Sequence, residues 1–401
     1  MSRIDELTNR PGDALRTFNR HNSNIRALSC HPENENLLLS ASEDGTIKMH
    51  DTRVGGHDAQ GVLTMAADFT SVQYHPTTPN LFVTGTNTGG VCLRDVRNSF
   101  GHGDARVPVA TTYVTSLSKS CLPTLYMPEI GSVTFDKTGD KLAVTMLCHQ
   151  PTIYSLRDPL PLATCSGLNA PNGTPVPPSE RTYSNCCTIK HGSFGGAGLP
   201  NDSYYSAGSD DFRAYVWKIP ELGELTQRRE VIAYERWQNL QHALNEDEDG
   251  KQRQPLTGFT PRSFKERYVP VELSTPAFRL GGHKSIVNSA LIHPTQPLIF
   301  TSGVERDILM HSPRPSAPCV SSFEDTPDKV RALPGSPTDG RGMVVRALLA
   351  EAEDTGEDRF TIALFDRIIR EEGGQDLFSL PDRIWEPSED EEPDDDDDLY
   401  I

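Results

Sequence analysis

The sequence lacks most of the signatures by which enzymes, metalloproteins and membrane proteins are recognised. Its 401 residues contain no GxxxxGK[ST] phosphate loop, no HExxH pair and no GxSxG nucleophile turn. The eight cysteines form no CxxC pair and match no zinc spacing. Long apolar runs are also missing, and the first 14 residues are polar, unlike a secretory signal. We therefore expect no cofactor, metal, membrane segment or small-molecule substrate, and a protein of the nucleus and/or cytoplasm.

Positive charge is scarce relative to negative charge. The formal net charge is −18, and ten negative charges lie between Glu386 and Asp398, so the rest of the chain carries only about −8. The acidic run repels itself, which predicts that the tail at 386–401 is disordered. Nucleic-acid binding is not favoured, because phosphate contacts require clustered Lys and Arg.

The sequence outside the acidic tail contains an internal repeat. Residues 37–51 align without a gap on residues 81–95, which lie 44 positions later. Each run reads as an apolar strand, a polar turn and an alternating strand, with Asp44-Gly45 and Thr88-Gly89 supplying the turn. A period of 40 to 45 residues is typical of a β-propeller.

Three further copies complete the pattern. Residues 291–311 and 204–217 are clear copies, and 133–155 is a weaker one. The five units resemble WD40 repeats. They predict an all-β protein with a WD40-type β-propeller of five recognisable repeats.

Composition divides the chain around this propeller. We expect an N-terminal extension at 1–13, the propeller at 14–312, a linker and helical segment at 313–385, and the acidic tail. The propeller contains a charged helical or disordered insertion at 220–276, in which apolar residues at helical spacing predict a helix over 230–244. Apolar residues also predict helices over 341–352 and 358–372, and the face of the second packs either on the propeller or on another protein. Residues 14–18 read as the outer strand of a preceding blade, so either the N-terminus is shortened or this strand closes a five-bladed ring.

Polar residues recur at fixed places in the copies. In WD40 blades a His, a Ser or Thr, the turn Asp and the Trp share hydrogen bonds. The corresponding candidates are His21, Ser42, Asp44, Asp211, Trp217 and His283. A structural role is favoured over a catalytic Ser-His-Asp set, because the trio recurs from copy to copy. Trp217 alone fills the tryptophan position, which is His50, Arg94 and His311 in the other copies, so we expect blade cohesion to depend more on aliphatic packing.

Two copies end in Asp-x-Arg: His50-Asp51-Thr52-Arg53 and Arg94-Asp95-Val96-Arg97. This pattern resembles the WDxR box of the DDB-and-cullin-associated factors, the WD40 substrate receptors of cullin-4 RING ubiquitin ligases. Residues 205–220, 283–288 and 363–370 are similar to one branch of that family. The resemblance implies that Arg53 and Arg97 face the ligase adaptor and that Asp51 and Asp95 orient them. An ion pair internal to the blade is the alternative role, and the replaced tryptophans depart from the family pattern.

The resemblance implies a non-enzymatic scaffold that recruits unknown client proteins to a cullin-4 ligase through its adaptor. A general WD40 scaffold in a chromatin or RNA-processing complex, without ubiquitin, is the alternative. A non-functional fragment whose open ring leaves strand edges unpaired is a third reading.

Overall fold

The repeats fold into five sheets that follow one another along the chain. The computed structural model describes residues 18, 20–54, 59–100, 108–120, 122, 124–196, 198–199, 201–242, 256–261, 266–314, 325–327, 329–333 and 356–373. The inner strands of successive sheets contact each other in chain order. The predicted all-β WD40-type architecture with five repeats is confirmed.

Each sheet is a blade of three or four antiparallel strands, and the third blade has an added fifth strand. The blades are as follows: blade 1, β1 (Ile25–Cys30), β2 (Leu37–Ser42), β3 (Thr46–Asp51) and β4 (Gly61–Thr64); blade 2, β5 (Phe69–Tyr74), β6 (Leu81–Thr86), β7 (Val91–Asp95) and β8 (Thr111–Tyr113); blade 3, β11 (Ile130–Phe135), β12 (Lys141–Met146), β13 (Thr152–Ser155) and β14 (Asp158–Cys165), with β21 (Val271–Leu273) parallel to β14; blade 4, β15 (Gly192–Gly195), β16 (Tyr204–Gly208), β17 (Ala214–Lys218) and β22 (Phe278–Leu280); blade 5, β23 (Val287–Ile292), β24 (Ile299–Gly303) and β25 (Ile308–His311).

The strand register makes the aligned copies equivalent. Leu37 pairs with Asp51 in blade 1, and Leu81 pairs with Asp95 in blade 2. The intervening turns contain Gly45 at φ +73° and Gly89 at φ +85°, a conformation that favours glycine. A Cβ on Gly45 would also lie 2.6 Å from the carbonyl oxygen of Met65, so the turn cannot accept a larger residue without shifting.

Blades are joined by apolar packing and by a recurring hydroxyl. One buried apolar cluster includes residues of blades 1 and 2, a second those of blades 2 and 3, and a third those of blades 3 and 4. Between them, inner-strand serines accept a backbone N–H from the following blade: Ser29 from Tyr74 at 2.8 Å and Ser71 from Val133 at 3.1 Å. Ser193 accepts from Ile292 of blade 5 in the same way, at 2.8 Å. The repeat therefore fixes contacts between blades as well as the blades themselves.

The insertion builds a peripheral sheet. The sheet has the strand order β10 (Leu125–Tyr126), β9 (Leu117–Lys119), β19 (Thr257–Phe259), β20 (Glu266–Val269), β18 (Glu230–Ala233). Three helices complete this region and the edge of blade 2: α1 (Val96–Ser99), α2 (Leu222–Arg228) and α3 (Tyr234–His242). The expected helix over 230–244 is wrong in its first turn, since 230–233 form a strand that pairs with β20.

The C-terminal helix α4 (Gly356–Glu372) packs part of its apolar face on the chain's own blades through Phe365 and Ile369, as one of the two expectations held, whereas Phe360 and Leu364 stay exposed. Within the described residues, no helix is long and apolar enough to cross a membrane. The predicted extension at 1–13, the helix over 341–352 and the tail at 386–401 lie outside the described residues, and of 14–18 only Phe18 is described.

Candidate protein-docking site

The end of β3 presents Arg53. The chain leaves the strand through a backbone hydrogen bond from Thr52 to Asn36 at 2.8 Å. The buried Asp51 carboxylate then accepts the Arg53 backbone N–H at 2.8 Å. It also accepts two hydrogen bonds from the guanidinium, from Nε at 3.1 Å and from Nη2 at 2.8 Å. A bidentate pair fixes the plane of the guanidinium, so Arg53 is held in one orientation although its side chain is 60% exposed.

The end of β7 repeats this geometry for Arg97. Val96 bonds to Asn80 at 2.8 Å, and Asp95 accepts the Arg97 backbone N–H at 2.9 Å as the N-cap of α1. Its carboxylate lies 3.0 Å from Arg97 Nε and 2.5 Å from Nη2. Arg97 is 70% exposed, so the second blade presents the same group in the same way.

In each arginine, the aspartate binds one edge of the guanidinium, the edge formed by Nε and Nη2. The hydrogen bond from Arg97 lowers the pKa of Asp95, and the bond to Asp51 raises the pKa of Arg53, so these ion pairs favour the charged forms of Asp95 and Arg53. Among the described residues, neither Nη1 group makes a hydrogen bond to protein. The ion pair internal to the blade and an outward role are therefore compatible: the aspartate orients the guanidinium, and Nη1 can donate to an acceptor outside the chain.

The two arginines share one rim of the propeller. β3 and β7 each start at the turn that follows the second strand of their blade and end at the aspartate, so both arginines lie at the opposite end from these turns. We call that end the arginine rim, defined by Arg53 and Arg97. The other end is the turn rim, defined by the loops between the second and third strands, which include Gly45, Gly89 and Phe212.

His21 lies in a hydrogen-bonded chain at the turn rim. Its Nδ1 is 3.0 Å from Asp44 Oδ2 and its Nε2 is 2.6 Å from Ser40 Oγ. Ser40 also contacts His50 Nε2 at 2.8 Å. The serine in contact with His21 is thus Ser40, and the predicted contact with Ser42 is wrong; Ser42 instead accepts the Asp44 backbone N–H at 3.2 Å.

The other network candidates divide between two blades. In blade 5, His283 joins Glu305 at 2.8 Å and Thr301 at 2.8 Å, and Thr301 contacts His311 at 2.8 Å. In blade 4, Asp211 accepts from Arg213 at 2.9 Å and Tyr215 at 2.7 Å. Trp217 bonds elsewhere: its indole N–H donates to the Ser166 carbonyl at 2.7 Å. The His21 and His283 networks have the same form, but Asp211 and Trp217 do not complete a third.

The two histidine networks are buried, and this burial affects the pKa of several of their side chains. Burial lowers the pKa of His50 to about 4 and that of His311 to about 4, so both rings are neutral at physiological pH. Burial alone would raise the pKa of Asp44, but hydrogen bonds from Thr46, the Asn22 N–H and His21 hold it well below its usual range. Ser40 is only 1% exposed, so this hydroxyl serves the fold and is not presented to a substrate.

The turn rim also contains a cavity that no motif predicted. It measures about 450 Å³ and lies between Cys148 of blade 3, Tyr183 of the loop that leads to blade 4, Asp210 of blade 4 and Ile369 of α4. Its walls come from segments far apart in the chain, so the sequence held no local signal for it. Over the residues that the structure describes, no group of three or more His, Cys, Asp or Glu is arranged to hold a metal ion.

Comparison with known proteins agrees with the fold. Residues 12–51 match the family described as WD domain, G-beta repeat. Over 306 residues, 76% of this chain, the sequence is 24% identical to DDB1- and CUL4-associated factor 5 of Mus musculus, and the Homo sapiens protein of that name gives the same values. An 86-residue stretch, 21% of this chain, is 34% identical to Methylosome protein WDR77 of Xenopus laevis, of which it covers 26%.

The chain therefore carries a WD40 repeat domain and is similar to a DDB1- and CUL4-associated factor. The aligned region is 25% of that relative, so the chain spans about a quarter of the length of the curated proteins that it matches over most of its own length.

Proposed function

We propose that this WD40 protein is a non-enzymatic substrate receptor that links client proteins to a cullin-4 ubiquitin ligase. One observation carries the proposal: Arg53 and Arg97 are presented identically on one rim of adjacent blades, each fixed by an aspartate. The name of the relative, DDB1- and CUL4-associated factor 5, supports DDB1 as the adaptor that this rim contacts.

The receptor contributes proximity. A client bound to the same rigid body as the ligase adaptor is held near the ubiquitin-transfer machinery, and this raises its effective concentration there. The arginines can act in docking because a pre-oriented guanidinium loses less conformational freedom on binding and donates to carboxylate or carbonyl acceptors. The chemistry of ubiquitin transfer belongs to other subunits.

Co-purification with the adaptor tests the proposal. Arg53→Ala combined with Arg97→Ala removes both outward donors and leaves the strands intact, since both side chains are largely exposed. We expect recovery of DDB1 with the tagged full chain to fall about tenfold, the loss expected when central interface arginines are truncated.

A matched control uses two other exposed arginines in ion pairs. Arg228 pairs with Glu224 and Arg367 pairs with Glu371, each within one helix. Arg228→Ala combined with Arg367→Ala should leave DDB1 recovery unchanged. Equal recovery from the wild type and the Arg53/Arg97 variant, or absence of both DDB1 and cullin-4 from the purified complex, would contradict the proposal.

A further inference from the structure

The turn rim of blades 4 and 5 is covered by the chain's own C-terminal helix. Ile369 and, in part, Phe365 of α4 pack against Phe212 of blade 4 and Ile286 of blade 5. Val304, Val330 and Leu333 border the same apolar cluster, which also reaches Cys187. The rim therefore contains an apolar cleft that accepts one face of a helix; we call it the α4 cleft.

An ion pair fixes the helix over this cleft. Asp366 is buried and accepts two hydrogen bonds from Arg331, Nη1 to Oδ2 at 2.8 Å and Nη2 to Oδ1 at 2.6 Å. Arg331 is held in turn by the Lys284 carbonyl, 2.8 Å from Nε. The Arg331 and Arg181 guanidinium carbons lie 4.8 and 4.2 Å from the centre of the Phe212 ring. The cleft thus places fixed positive charge beside its apolar floor, which is complementary to a carboxylate flanked by apolar side chains.

Few of the described α4 side chains are buried in the cleft. Among the helix side chains that the structure describes, only Asp366 and Ile369 are buried, whereas Phe360 is 39% and Leu364 45% exposed. The packing around the C-terminal end of the helix is also incomplete, since Ile369 and Gly373 border the 450 Å³ cavity. Among the described residues, the buried contacts of α4 centre on one ion pair and on Phe365 and Ile369, a small set that a competing ligand can displace.

We propose that the α4 cleft is a binding site for an amphipathic helix of a partner protein, and that α4 occupies this site within the chain until the partner displaces it. The chemistry of the partner follows from α4: an apolar residue, an adjacent carboxylate and a second apolar residue four positions after the first, as in Phe365, Asp366 and Ile369. Identifying this partner as a client of the ligase rests on the proposed function, whereas the binding site itself rests on the contacts of α4.

Displacement is measured with a labelled peptide on the full chain. The probe is a fluorescein-labelled peptide with the sequence of residues 356–373, titrated by fluorescence anisotropy. Asp366→Arg in the chain breaks the internal ion pair and leaves the cleft unchanged, so the apparent Kd of the probe should tighten at least about tenfold because the competing internal helix is released. Adding Ile286→Asp to that variant should abolish probe binding.

The control reverses a charge on the same helix outside the cleft. Glu371 is exposed and pairs with Arg367, so Glu371→Arg should leave the Kd as in the wild type. Hydrogen exchange in the full chain gives a second readout: Asp366→Arg should accelerate exchange over 356–373 but not over β2.

Three results would overturn the proposal. They are equal Kd values for wild type and Asp366→Arg, a similar gain with Glu371→Arg, and no measurable probe binding to any variant. Dimerisation of the wild-type chain that the peptide reverses would also overturn it, because α4 of a second copy would then fill the cleft. None of these measurements involves DDB1, so they are independent of the adaptor experiment.

Discussion

At the residue scale, the missing tryptophans are replaced by polar pairs with a fixed spacing. Ser40 bonds to His50, Thr84 to Arg94 and Thr301 to His311, and in each pair the residues are ten positions apart on adjacent strands. In blade 4 the residue ten positions before Trp217 is Ala207, and the indole bonds to the neighbouring blade instead. Blade cohesion thus depends on these hydrogen bonds as well as on the aliphatic packing that the sequence predicts.

The buried rings make the stability of the protein depend on pH. His50 has a pKa of about 4 in the folded state against an ordinary 6.5, so between these values the unfolded chain binds a proton that the folded chain does not. The free energy of unfolding should therefore fall as pH drops from 6.5 to 4, by at most about 1.4 kcal/mol per pH unit for this histidine. We expect His50→Gln, which keeps a partner for Ser40, to reduce this slope in urea denaturation at pH 7, 6 and 5.

Part of the slope should persist in His50→Gln. Burial also lowers the pKa of His75, His149 and His311. Parallel pH profiles for wild type and His50→Gln would show that this ring does not contribute.

At the element scale, the peripheral sheet shows where local patterns are insufficient. Val231 and Ala233 fit a helical spacing, yet they lie on the exposed side of β18, and Ile232 between them is buried. The deciding interaction is non-local: β18 pairs with β20, as in Val231 with Tyr268, and β19 joins the same sheet to β9 more than 130 residues earlier. Pairing over such a distance leaves no periodic signal within the insertion, so the sequence cannot distinguish this strand from a helix.

Trp237 should be the main anchor of α3 on that sheet. It is buried and packs so closely on Gly258 that a Cβ there would lie 2.9 Å from its ring. Trp237→Ala should lower the free energy of unfolding by about 3 to 5 kcal/mol in urea denaturation, because it leaves a large cavity. Val231→Ala on the exposed side of β18 should change it by less than about 0.5 kcal/mol. A similar loss in both variants would mean that Trp237 is not a packing anchor.

At the scale of the whole molecule, the repeat predicts the blades but not what surrounds them. Equivalence of 37–51 and 81–95 follows from a 44-residue period, and the structure confirms it in neighbouring sheets. The sequence could not tell which serine contacts His21, because Ser40 and Ser42 lie two residues apart on the same face of one strand. The α4 cleft requires Phe212, Ile286 and Ile369 to meet, and only the folded chain brings these distant residues together.

The two rims should act independently, because Arg53 and Arg97 lie at the opposite end of the blades from the α4 cleft. Distant sites without shared partners have additive effects. In a chain with Arg53→Ala, Arg97→Ala and Asp366→Arg together, DDB1 recovery should equal that of the arginine variant, and the Kd of the helix probe should equal that of Asp366→Arg alone. Recovery of DDB1 measured with and without saturating probe checks the same point in the wild type. A change in DDB1 recovery on adding the probe would instead mean that the blades transmit the state of one rim to the other.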